Sequence, residues 1–168
     1  MAKTILYIVD PKYYFKRVIS ILKKTINKSN IIYVTTNKPY AHLMNEFKKN
    51  NVNTSKFFII DCITKYVGQP LDESVQNCIF LDNPQALTTI SIAMNESIKQ
   101  ITGKKILFLD SLSTLLIYND AKTMAKFSNF IINQMRTYNV DLVIFALESD
   151  VSHQIVTEIQ SFVDEVKK

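Results

Sequence analysis

Only two glycines, Gly68 and Gly103, occur in the 168 residues, against a usual frequency of about 7%. Any site that depends on a glycine-rich loop is therefore compromised. Cysteine is as scarce: Cys62 and Cys78 show no C-x-x-C spacing, which excludes a disulfide framework and structural zinc and leaves two reduced core thiols. His42 and His153 are solitary and have no partner at metal-ligand spacing, so no metal site is expected. Neither a G-x-S-x-G elbow nor a Cys/His signature of nucleophilic catalysis is present. The longest apolar runs, such as Ile5 to Val9 and Ile106 to Leu109, fall far short of the roughly 18 residues of a membrane span. The first residues lack a signal-peptide pattern, and the expected location is the cytoplasm, away from membranes.

What is present is the usage of a compact domain, with 47% apolar and 21% charged residues. A chain of this length buries roughly 70% of its unfolded surface around one core and is too short for two ordinary domains. One domain over residues 1–168 is expected. The net charge of +5 conceals a split: residues 1–56 carry eleven Lys or Arg against Asp10 and Glu46, a net +9, and the remainder is −4. Such asymmetry suits an anionic partner, or the meeting of one copy's basic face with another's acidic face. It also suits solvated lysines on exposed helix positions, which do no more than keep the protein soluble.

Apolar runs alternate with helical patterns along the whole chain. Strands are read at Ile5–Asp10, Ile31–Thr35, Phe57–Asp61, Cys78–Leu81, Lys105–Asp110 and Asp141–Ala146, with a possible edge strand at Val163–Val166. Helices are read at Phe15–Ile26, Pro39–Lys49, from Asn83-Pro84 to about Thr102, Asp120–Tyr138 and Ser152–Phe162. Asn83 is the expected cap of the third helix, Pro84 its first residue and Gly103 its stop. Pro39 sits in the first turn of its helix, where the missing N–H costs nothing. Cys62 to Asn77 reads as a loop. Strands buried on both faces and separated by such helices specify an α/β fold with a mainly parallel sheet. Ligands of such sheets bind outside the carboxyl ends of the strands, which places Asp10, Thr35 to Lys38, Asp61, Asp110 to Ser113 and Glu148 in view.

Lys105-Lys-Ile-Leu-Phe-Leu-Asp-Ser-Leu-Ser ends an apolar strand on a carboxylate, Asp110, with the Ser111 hydroxyl beside it. That is the arrangement of a Walker B motif, in which the acid serves a Mg²⁺–phosphate site. Ile106 to Leu116, the helix after it and Val143-Ile-Phe-Ala-Leu-Glu resemble the RecA-fold ATPases of the KaiC and RadA group. Ile31-Ile-Tyr-Val-Thr-Thr-Asn-Lys and Ser161-Phe-Val-Asp-Glu-Val extend the resemblance over nearly the whole chain. It implies a three-layer α/β/α domain of the P-loop superfamily.

The departures from that family decide the functional expectation. A P-loop reads G-x-x-x-x-G-K-[ST], because glycine lets backbone N–H groups approach phosphate. Here Asp10-Pro-Lys-Tyr-Tyr-Phe-Lys-Arg stands after the first strand. In register, Asp10 and Phe15 occupy the glycine positions, Lys16 the lysine position and Arg17 the hydroxyl position. Asp10 repels phosphate, Pro11 removes a donor and Arg17 cannot ligate Mg²⁺. The family's acidic pair after the second strand, which supplies the catalytic base, is matched by Asn37 and Lys38, neither of which accepts a proton at neutral pH. A vestigial nucleotide contact would fall to Lys16, Arg17, Asp110 and Ser111. No catalytic residue and no cofactor are expected, ATP with Mg²⁺ being the alternative. Tyr13, Tyr14 or Phe15 are expected to fill the turn where a nucleotide would lie.

The resulting reading is a non-catalytic regulatory or interaction module that binds a protein partner or its own kind. An ATPase with an unorthodox site built from Lys16 and Asp110 is the alternative. Nucleic-acid binding through the basic first third is a further one, less favoured. A phosphorylatable receiver domain, suggested by Asp10 and Asp61 at strand ends, ranks below these, because Pro11 stands where a receiver has a second acid.

Overall fold

The computed structural model describes residues 1–150 and 154–168. Seven strands form one sheet: β1 (Thr4–Val9), β2 (Asn30–Thr35), β3 (Phe57–Asp61), β4 (Cys78–Phe80), β5 (Lys105–Asp110), β6 (Asp141–Leu147) and β7 (Glu165–Lys167). Their order is β4-β3-β2-β5-β6-β1-β7, and every pairing is parallel. Six helices are described: α1 (Tyr14–Thr25), α2 (Tyr40–Lys49), α3 (Leu87–Gln100), α4 (Leu112–Tyr118), α5 (Ala121–Tyr138) and α6 (Gln154–Gln160). No described helix is long and apolar enough to cross a membrane.

Because side chains alternate along a strand, each strand feeds two cores. On one side Val18, Ile19 and Leu22 of α1 and Leu43 and Phe47 of α2 close over Tyr7, Tyr33, Phe108 and Phe145. On the other, α3, α4, α5 and α6 bury Met94, Leu115, Ile131 and Ile159 against Leu107, Leu109, Leu142 and Ile144. The first side is aromatic, with Phe108 stacked against Tyr33 and Phe145 at ring separations of 6.2 and 6.1 Å. The three-layer α/β architecture with a mainly parallel sheet read from the sequence is thus the observed one, with every pairing parallel.

Local boundaries differ where side chains compete for the backbone. Asn83 does not cap α3; its Oδ1 accepts from Gln85 N at 2.9 Å in a tight turn, and the helix starts at Leu87 with Ala86 at its cap. Asn serves a turn and a cap by the same chemistry, and here the turn wins. Gly103 is not the helix stop either: α3 ends at Gln100 with Ile101 extended, and Gly103, at φ +78, makes the turn into β5. Pro39 lies just before α2 as its cap residue. Helix α4 is additional, capped by Ser111, whose Oγ accepts from Thr114 N at 3.1 Å. The last helix is Gln154–Gln160; Ser152 and His153 of the expected span lie outside the described residues. Strand β7 runs two residues later than expected at its start, since Asp164, held by Thr4 N and Arg136, first docks the chain to the sheet.

Candidate functional site

In a parallel sheet the carboxyl strand ends lie along one edge, and β6 separates β1 from β5. Asp10 and Asp110 therefore stand two strand spacings apart, about 10 Å across the sheet. Register pairs Tyr33 with Phe108 and Thr35 with Asp110, so Tyr33 and Asp110 face the same side, that of α1 and α2. The Tyr33 hydroxyl donates to Asp110 Oδ2. Tyr14, the first residue of α1, reaches over the edge and donates to Oδ1 at 2.5 Å. Asn37 Nδ2 adds a longer bond to Oδ1 at 3.3 Å.

Asp110 is fully buried. Burial pushes its carboxyl above the ordinary range, opposed by the bonds from Tyr14, Tyr33 and Asn37 and by the nearby Lys38 charge. Both tyrosines are held well above the usual phenol value, first by burial and then by the Asp110 charge. The Lys38 amine is lowered by its partial burial, against the pull of Asp110 and Glu46. Its Nζ sits 3.4 Å from the centre of the Phe15 ring, which in turn stacks on Phe47. Thr36 ties the two strand ends together: its Oγ1 accepts from Ser111 N at 2.9 Å and donates to Asp110 O at 3.0 Å.

The turn after β1 is a short 3₁₀ segment, Pro11–Tyr13, that leads straight into α1. Asp10 Oδ1 accepts from Lys12 N at 2.8 Å, spending the carboxylate on that turn. Of the residues singled out in the sequence, Asp110, Asn37, Lys38 and Phe15 are brought together. Lys16 is exposed on α1, and its ammonium makes no hydrogen bond or ion pair among the described residues. Arg17 lies apart, its guanidinium 5.6 Å over the Tyr7 ring. Ser111 is occupied as the cap of α4. Sequence reasoning missed Tyr33, though a hydroxyl in a doubly buried strand demands a partner. Tyr14 is singled out among the aromatics of the turn and stands just after it, as the first residue of α1, but no local signal names the acceptor of its hydroxyl.

Asp61, at the end of β3, is the second buried carboxylate of this edge. It accepts from Ile63 N at 2.7 Å, Thr64 N at 2.8 Å, Tyr40 N at 2.6 Å and Thr64 Oγ1 at 2.5 Å. All four donors belong to the chain's own fold, so Asp61 anchors the start of α2 rather than facing solvent, as the acceptor aspartate of a receiver would have to. No group of three or more His, Cys, Asp and Glu that could hold a metal ion occurs among the described residues.

A model described as a family of unknown function, DUF7504, matches residues 21–166. The chain belongs to that family. The fold is similar to the crystal structure of the KaiC-like protein PH0186 from the hyperthermophilic archaeon Pyrococcus horikoshii OT3. That match has a TM-score of 0.68 and 12% identity, covering 98% of this chain and 69% of that one. At such identity the likeness is one of fold, and it agrees with the RecA-type architecture that the sequence resembles. No curated protein matches the chain.

Proposed function

We propose that this DUF7504 member is a non-catalytic RecA/KaiC-like module that acts by association, with a protein partner or a second copy, and does not hydrolyse ATP. The observation that carries the reading is the Tyr14–Asp110 hydrogen bond. By the resemblance, Asp110 stands where the family keeps the acid of its Mg²⁺–phosphate site, and the turn before α1 where it keeps the phosphate loop. In this chain the residue that follows that turn, Tyr14, reaches across to the acid.

Three features support the same conclusion. Both oxygens of the fully buried Asp110 carboxyl already accept from tyrosines, so a hard divalent cation would have to displace those hydroxyls to be ligated there. The strand-to-helix turn is a 3₁₀ segment with a carboxylate at its head, which repels phosphate in place of a cradle of free N–H groups. Asn37 gives its amide to Asp110, and Lys38 covers Phe15, leaving the position after β2 without a base to orient water. Mg²⁺–triphosphate does not fit these residues, and no catalytic step is assigned to it.

The test is thermal unfolding with increasing ATP and Mg²⁺, beside an assay of orthophosphate release. A ligand at 100 times its Kd adds about 2.7 kcal/mol of stability; none is expected at millimolar ATP. Sedimentation velocity of the purified chain then separates self-association from the need for another protein. Nucleotide-dependent stabilisation, or phosphate release abolished by Lys16→Ala, overturns the reading.

A further inference from the structure

Each crossover of a parallel α/β sheet returns the chain to the same edge, so the C-termini of the crossover helices and the strand N-termini collect opposite the Asp110 cluster. Helix α4 alone among the described helices ends at the carboxyl edge, where α5 begins. In this molecule that amino edge is basic. The last turns of α1 and α2 hold Lys23, Lys24, Lys48 and Lys49. The turns into β2, β3 and β5 hold Lys28, Lys56 and Lys104, and Lys105 opens β5. All but Lys105 are exposed, and of these eight only Lys49, with Glu46, has an ion pair among the described residues. The acids of the edge are already engaged: Glu165 with Lys3 and Lys167, Asp164 with Arg136, and Asp141 with the Lys3 N–H.

Lysines in a last turn favour their own helix dipole, which accounts for Lys23, Lys24, Lys48 and Lys49 without a ligand. It does not account for Lys56, Lys104 and Lys105, which precede or open strands. Between β5 and β6 the edge also opens into a cavity of about 410 Å³, lined by Gly103, Lys104, Lys105, Tyr138, Asn139 and Asp141 among others. Tyr138 is 39% exposed there. The starts of β3 and β6, separated by β2 and β5, lie three strand spacings or about 14 Å apart, so the lysines by β3 and the cavity belong to one continuous edge.

We propose that this amino edge binds a single strand of nucleic acid, its phosphates along Lys28, Lys56 and Lys104 and one base stacked on Tyr138 in the cavity. Unpaired lysines in a row match a phosphate backbone, and an exposed aromatic ring beside them is the stacking platform that single-strand binders use. A duplex keeps its base faces to itself and has no use for Tyr138. A lipid surface would call for a group of exposed aliphatic side chains at the same edge; Met1 is exposed beside the cavity, whereas Ile92 and Ile117, each more than half exposed, lie within α3 and α4. The inference does not depend on the Asp110 reading, because the two sites occupy opposite edges.

The experiment is fluorescence anisotropy of labelled oligothymidine against the full chain, between about 50 and 200 mM salt. Affinity falls with salt, and the triple variant Lys28→Gln, Lys56→Gln, Lys104→Gln reduces the log–log slope by about 2, near 0.7 for each phosphate no longer neutralised. Tyr138→Leu weakens binding roughly tenfold at all salt concentrations with the slope unchanged. The equal-charge control Lys12→Gln, Lys65→Gln, Lys122→Gln, at the carboxyl edge, binds as the parent does. Circular dichroism confirms that each variant is folded. Absent binding, equal loss in the control, tighter binding of a duplex, or binding of phosphatidylserine vesicles without oligothymidine each overturns the proposal.

Discussion

Tyr14 and Asp110, 96 residues apart in sequence, are joined by a 2.5 Å hydrogen bond from the tyrosine hydroxyl to Oδ1. The bond links the first residue of α1 to the last of β5 across the carboxyl edge of the sheet. It fixes the entry of α1, and it gives a buried carboxyl one of the donors without which burial would be costly.

Tyr14→Phe deletes one donor and leaves the ring, which packs edge-on to Phe145 at 6.0 Å. Tyr33 and Asn37 remain on Asp110. The expected loss of stability is about 1.5–3 kcal/mol, the usual cost of a hydrogen bond to a charged or strongly polar acceptor. Urea unfolding measures it, and the m value stays constant if the native state is otherwise intact. The double variant with Tyr33→Phe costs more than the sum of the singles, because it strips the carboxyl of both hydroxyls.

Asp110 also makes stability depend on pH with a definite sign. Its folded pKa is raised, chiefly by burial, so in the interval between the unfolded and folded values the native state binds the extra proton. The slope of unfolding free energy with pH is then negative. This contribution is fully present below the ordinary carboxylate range and is lost as pH rises through the raised folded value. Asp110→Asn removes it. Chemical denaturation at a series of pH values, comparing parent and variant, yields a difference curve that falls across that window; a flat or rising difference refutes the assignment.

The sheet and its helices were legible because strands buried on both faces and helices with a 3.6-residue stripe leave unambiguous patterns, as at Ile106–Leu109 and Met124–Met135. Boundaries failed where one side chain serves two local motifs. Asn83 could cap a helix or close a turn, and Ser111 caps α4 immediately after the strand end with no loop to announce it. Asp110 was legible, being an acid at the end of an apolar strand. Its partners were not, because nothing local says that β2 lies beside β5 or that α1 begins within reach of it. Only the strand order and the Tyr33–Phe108 register bring those hydroxyls to the carboxyl.

Asp61 tests whether a buried carboxylate at this edge is structural. Its four donors include three backbone N–H groups, and one of these, from Tyr40, opens α2. Asp61→Asn replaces one acceptor oxygen by an amide that faces donors on every side. A loss of about 3 kcal/mol is expected, in the range for breaking a buried hydrogen-bond network. Hydrogen exchange should show the damage at the start of α2 and in the turn at Ile63 and Thr64, while amides of β1 and β6 keep their protection relative to global unfolding.

Phe108 connects core packing to the site. It is fully buried and sandwiched between Tyr33 and Phe145, with interplanar angles of 16° and 26°. Phe108→Ala opens a cavity behind Tyr33 and costs about 3–5 kcal/mol. Phe108→Leu refills much of that volume, costs less, and still removes the flat surface that sets the Tyr33 ring angle. With Tyr33 less constrained its hydroxyl donates less well to Asp110, so the carboxyl pKa moves further up and the pH window described above widens toward alkaline values. The same pH series on Phe108→Leu checks this: an unchanged window would mean that Asp110 is held by Tyr14 and Asn37 alone.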